Sequence, residues 1–154
     1  MKRLVLSCLL APAFLAACQP GSTGSDTGEP VLSYEDAFIQ APLAGRDVTM
    51  GGIRITVEGG GVTLTGVTSD VAETVETHTM EMVDDRMTMR PVDGFEIKAG
   101  DTLVMDRGGN HLMLFGLQED LAAGDTANIT LTFESEGGET LTLEAEAEVR
   151  AVGE

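Results

Sequence analysis

The sequence predicts one antiparallel all-β domain, a sandwich built on a single core. Three observations carry that prediction. From Val31 onward, short segments that alternate apolar and polar residues recur at intervals of about ten residues. Clusters of Gly, Asp, Asn and Ala separate them, as turns require. Apolar residues make up 42% of the 154-residue chain, yet aromatics only 4% with no Trp, so Val, Ile, Leu and Met must fill the core.

Residues 1–17 stand apart from that pattern. "MKR" is a basic start, "LVLSCLLAPAFL" a short apolar run, and "LAAC" closes it with small residues before Cys18. The run is too short for a transmembrane helix. Its "LAAC" end resembles the lipobox of bacterial lipoproteins, which implies lipidation at Cys18 after removal of 1–17. Cys8 would leave with the signal, so the mature chain would fold without a disulfide. Residues 18–30, rich in Gly, Ser, Thr and Pro, read as the lipidated cysteine and a flexible tether, and 31–154 as the folded domain.

Within 31–154, strands are expected at 31–39, 52–58, 62–67, 73–82, 86–92, 94–97, 101–105, 110–117, 127–135 and 139–149. The last of these, "ETLTLEAEAEV", has the composition of a helix. Its strict period of two, with Leu141, Leu143, Ala145, Ala147 and Val149 on one side, makes it a strand. "EGGG" and "RGGN" have no following helix to make a phosphate loop and read as turns. The sequon at Asn128 reads as strand sequence. No nucleophile elbow, zinc-protease helix or Walker loop is present, so no enzyme is expected. A net charge of −17 repels phosphate backbones and anionic headgroups. Nucleic acid is excluded as a partner, and membrane contact is expected through the lipid alone.

Chemistry concentrates in "HTMEMVDDRMTMR", residues 78–90, which holds four methionines and one of the two histidines. The other histidine lies in "GGNHLMLFG", and both occur as His-x-Met. "VDD" between two alternating segments makes a hairpin, which puts His78, Met80, Met82, Met87 and Met89 on one face whether His78 or Met80 stands opposite Met89. His111 and Met113 share a face of another strand. Methionine on an alternating face is ordinarily core filler, and Met50 and Met105 fit that role. The paired His-x-Met pattern and the clustering favour a metal site instead. Nearby Glu76, Glu81, Asp84 and Asp85 read as a solvated face with at most a steering role.

The spacing His78, ten residues, Met89, twenty-one residues, His111-Leu112-Met113 resembles the PCuAC-type periplasmic copper(I) chaperones. The flanking text "MRPVDGFEIKAGDTLVMDRGGNHLMLFGL" is similar to that family as well. The resemblance implies a cupredoxin-like, Greek-key β-sandwich that binds one Cu(I) through His78, Met89, His111 and Met113. It implies delivery to the copper centre of a respiratory oxidase or to another copper chaperone, in the bacterial periplasm, with Met80, Met82 and Met87 as secondary donors or packing. The donor chemistry agrees, because thioethers select Cu(I) and disfavour Zn(II), Ca(II) and Mg(II). A monomer is expected. The competing reading is a non-metal β-sandwich lipoprotein that serves as an interaction module, with its methionines between the sheets. Burial separates the two.

Overall fold

The computed structural model describes residues 28–153. The expected signal segment, Cys18 and most of the expected tether lie outside the described residues.

Ten strands follow one another: β1 Val31–Gln40, β2 Val48–Glu58, β3 Val62–Ser69, β4 Ala72–Val83, β5 Arg86–Val92, β6 Phe95–Ile97, β7 Thr102–Met105, β8 His111–Leu117, β9 Thr126–Ser135 and β10 Thr140–Arg150. Each expected strand is present, and β2 begins earlier than its alternation suggested. They form one continuous sheet in the order β5-β4-β8-β2-β1-β10-β9-β3-β6, with β7 paired to β2. The chain is all-β, as expected.

Chain connectivity forces this sheet to fold over. β3 and β4 are six positions apart in the order but are joined by Asp70 and Val71 alone. A flat sheet would hold them about 29 Å apart at its usual strand spacing, whereas the link reaches about 10 Å. The two halves must therefore face each other. Asn128 on β9 pins this crossover: its Nδ2 donates to Asp70 Oδ2 at 2.8 Å and its backbone N–H to Oδ1 at 2.9 Å.

The folded sheet encloses one apolar cluster, drawn from both halves. Leu112 and Leu114 of β8, Ile53, Ile55 and Val57 of β2, and Leu131 and Phe133 of β9 are almost wholly removed from water. On β10, Ala145, Ala147 and Val149 are buried and Leu141 and Leu143 pack against them, so the period-two reading holds.

One expectation needs correcting: the sheet is not wholly antiparallel. Phe38–Gln40 of β1 pairs in parallel with Glu148–Arg150 of β10. Parallel neighbours need a long crossover, and these are the first and last strands, so the whole domain serves as one. The pairing follows a bulge between Glu35 and Phe38, where Asp36 adopts φ 57°. Arg150 closes it, with Nη2 3.0 Å from Asp36 Oδ1 and its guanidinium 5.1 Å from the centre of the Phe38 ring. The Asp36 hydrogen bond raises the Arg150 pKa above its ordinary value.

Candidate metal centre

Alternation divides β4 and β8 into two faces. Thr77–Leu112 and Val75–Leu114 are paired on the core side, while Glu76–Met113 and His78–His111 are paired on the outer side. The same outer face continues across the neighbouring strands. On β5, Met89 stands opposite Met80 and Met87 opposite Met82, with Pro91 opposite His78. On β2, Met50 stands opposite Met113.

The hairpin register decides between the two alternatives. The turn is Asp84–Asp85, both residues with positive φ (49° and 60°), flanked by the Val83–Arg86 pair. This matches the two-residue turn whose twist suits a hairpin. Met80 rather than His78 therefore faces Met89, and Met89 is the diagonal neighbour of His78, at a Cα distance of about 7–8 Å. His78 faces His111 directly, with ring centres 5.8 Å apart and ring planes at 49°. Met113 follows His111 on the same face, a further step of about 6.7 Å along the strand.

Both imidazoles are buried on this outer face, at 7% exposure for His78 and 4% for His111. Phe115 stands beside His78, with ring centres 6.3 Å apart. Each ring is oriented by one acceptor. His78 Nε2 lies 2.8 Å from Glu76 Oε2, and His111 Nδ1 lies 3.0 Å from the carbonyl of Gly109. A carboxylate and a carbonyl only accept, so these nitrogens carry the hydrogens. The lone pairs of the neutral rings then fall on His78 Nδ1 and His111 Nε2. His78 Nδ1 is buried without a hydrogen-bond partner among the described residues. An orphaned buried acceptor is costly, and a cation would satisfy it. The loop that carries Gly109 is itself tied down: Asp106 N–H donates to the Asn110 carbonyl at 2.7 Å, and Thr79 Oγ1 donates to Asn110 Oδ1 at 2.9 Å.

Glu76 is solvent-exposed, as the sequence suggested for the local carboxylates, but it does more than steer, because it has a direct partner. Two residues before His78 on one strand, it shares the histidine's face and reaches its ring. The period-two rule was sufficient to find this pair. Glu81 does lie on the opposite face, 3.5 Å from Arg90, and Asp84 and Asp85 make the turn.

Among the described methionines, Met105 alone belongs to the core cluster, at 2% exposure. Met50, expected as core filler, is instead half-buried on the outer face opposite Met113. Its position follows from register: β2 alternates around Thr49 and Gly51, and Met50 shares the parity of Met113. Met80 is half-buried, and Met82, Met87 and Met89 are exposed at 65, 52 and 47%. Among the described residues no group of three or more His, Cys, Asp and Glu could hold a metal ion. A cation bound here must draw on thioethers, which narrows it to the soft class.

A family model described as "Putative lipoprotein LpqE-like" matches residues 32–146. The chain is 34% identical over 103 residues to "Putative lipoprotein Lxx21020" of Leifsonia xyli subsp. xyli, an alignment that takes in 66% of this chain and 61% of that protein. The match thus spans about three fifths of the relative's length. Among solved structures, the copper-bound PCuAC domain from PmoF2 superposes with a TM-score of 0.61 at 22% identity, over 78% of this chain and 92% of that one. The CuI form of DR1885 from Deinococcus radiodurans superposes with a TM-score of 0.53 at 26% identity, over 90% of this chain and 88% of that one. The expected cupredoxin-like fold, that of PCuAC domains, is therefore the fold of this chain.

Proposed function

The chain belongs to the family described as "Putative lipoprotein LpqE-like", and on that premise we propose that it is a membrane-anchored periplasmic metallochaperone for Cu(I). The observation that carries this reading is the buried His78–His111 pair, with two lone pairs held on one outer face among thioethers. Two solved structures of similar fold, one copper-bound and one in the CuI form, support the choice of metal.

In this reading one Cu(I) is held by His78 Nδ1, His111 Nε2 and the sulfurs of Met89 and Met113. The two histidines are positioned by hydrogen bonds on paired strands. Met89 lies on the end strand of the sheet and is nearly half exposed, so an acceptor can compete for the ion from that side. Neutral, exchangeable thioethers suit a carrier, which must release its cargo. The acceptor is the copper centre of a respiratory oxidase or another copper chaperone. A lipid on Cys18 would keep the carrier at the membrane surface, and Cys18→Ser should abolish lipid attachment. Cleavage of the unaltered protein at a different residue, without lipid, would refute that part.

The rival reading needs methionines packed between the sheet halves. Only Met105 is there among the described residues.

The test is an anaerobic titration of residues 22–154, which contain all ten strands and the whole core cluster, with Cu(I) against a competing chelator. One tightly held Cu(I) per chain is expected, with weaker Cu(II) and Zn(II) binding. Met89→Ala and Met113→Ala should weaken the tight site more than Met82→Ala or Met87→Ala. Zinc binding equal to or stronger than Cu(I) binding would overturn the assignment.

A further inference from the structure

The outer face of the β4–β5 hairpin continues past the histidines as two further rungs, Met80–Met89 and then Met82–Met87 at the tip. Successive rungs on one face are about 6.7 Å apart, and facing side chains about 4.5–5.5 Å apart at Cβ. Exposure rises along the series from the buried histidines through half-buried Met80 and then Met89 to Met82 and Met87.

Packing does not account for these four side chains. None belongs to the core cluster or to the residues packed against it. β5 has no strand on its outer side, and such an edge is ordinarily protected by charge rather than lined with apolar groups. Between the histidine and the tip, the charges of this hairpin are on the other face or in the turn: Glu81, Arg86 and Arg90 alternate with the methionines, and Glu81 and Arg90 pair with each other at 3.5 Å. The methionine face is thus a strip of neutral sulfur donors leading from solvent to the buried rings.

We propose that Met82 and Met87 form a second, outer docking site for a soft monovalent cation, Cu(I) or Ag(I), from which the ion passes by way of Met80 and Met89 to the histidines. This rests on the reading of the His78–His111 pair as the inner site. Two facing thioethers can hold such an ion in two-coordinate form. Only metal–sulfur bonds form and break along the strip, metal–nitrogen bonds to the two rings form as the ion arrives at the inner site, and no electron is transferred. Two preorganised donors fewer than the inner set should make the outer site weaker by about 10²–10⁴-fold. A weak outer site at a solvent-exposed tip exchanges quickly, as an entry and exit point must.

Silver(I) is the probe, added to residues 22–154 carrying 13C-labelled methionine methyl groups and followed by NMR. The first equivalent should shift the His78 and His111 ring signals with the Met89 and Met113 methyls. Further silver should shift the Met82 and Met87 methyls in a separate, weaker step. In Met82→Leu/Met87→Leu, which alters exposed side chains only, the first step should persist and the second vanish. The rate at which bound Cu(I) is lost to an excess of chelator should then fall several-fold while the equilibrium affinity of the first step stays within about twofold, because an ion-relay rung changes rates rather than end states. A first step followed by no movement of the Met82 and Met87 methyls as more silver is added, or an unchanged release rate in the double variant, would overturn the outer site and leave the inner one standing. Absence of the first step would overturn the inner site and the outer one with it.

Discussion

The β9–β10 and β4–β5 hairpins are both antiparallel, both alternate with period two, and differ in what the alternation is for. In β9–β10, one face carries Ala127, Ile129, Leu131 and Phe133 against Ala145, Ala147 and Val149, all inside the core cluster. In β4–β5, the paired stretch Thr77–Val83 with Arg86–Val92 contributes nothing to that cluster. Its apolar face carries sulfur instead of branched aliphatics, and it looks outward. Hydrophobic periodicity therefore marks a face that something will cover, and the side-chain chemistry indicates what. Branched aliphatics and phenyl rings are covered by protein; thioethers beside imidazoles are suited to a soft cation.

Substitutions should separate the two hairpins cleanly. The largest effect is expected in β9, where Phe133→Ala removes a wholly buried ring and should cost about 3–5 kcal/mol of unfolding free energy, read by denaturant titration. An effect under 1 kcal/mol would mean that the core is not organised around this hairpin. Next come the rings of the site. His78→Ala or His111→Ala should lower Cu(I) affinity by at least about a hundredfold, roughly 2.7 kcal/mol, because half of the nitrogen donors are lost. Their variants should keep the cold, folded NMR dispersion of the parent, since neither ring is in the core cluster.

Glu76 should give a smaller effect of the same kind. With its carboxylate removed in Glu76→Ala, His78 is free to rotate and to exchange tautomers, and affinity should fall about 10–100-fold, as for other residues that orient a metal-binding histidine. Glu76→Gln retains an acceptor oxygen and should recover part of the loss. Equal losses in the two variants would show that charge rather than orientation is what Glu76 supplies. The smallest effect is expected at the tip: Met82→Ala should change stability by no more than about 0.5 kcal/mol. A larger loss would mean that the exposed methionines pack against something, and the contrast between the hairpins would fail.

Much of this was legible in residues alone, because strand periodicity is local. Ten alternating segments and their breakers were sufficient to place all ten strands, and the parity of His78, Met80 and Met82 fixed them to one face. The same parity placed Glu76 beside His78, although its charge drew the reading toward solvent. Met50 was misassigned for a complementary reason. A half-buried methionine on the outer face and a buried one between the sheet halves have the same sequence signature, and only the partner strand tells them apart.

The sequence by itself determined the alternation of every strand, the hairpin that groups five candidate donors, the soft character of those side chains and the acidic residues around them. All of these are set by neighbours within a few residues. Tertiary structure decided which strands adjoin. His78 and His111 are thirty-three positions apart in the chain, and nothing local requires β4 to pair with β8, or β1 to run parallel to β10. Those pairings arise when the sheet folds over to remove both halves from water around a single core. The histidines meet on the outside because Leu112 and Leu114, one residue out of phase with His111, are drawn to the inside.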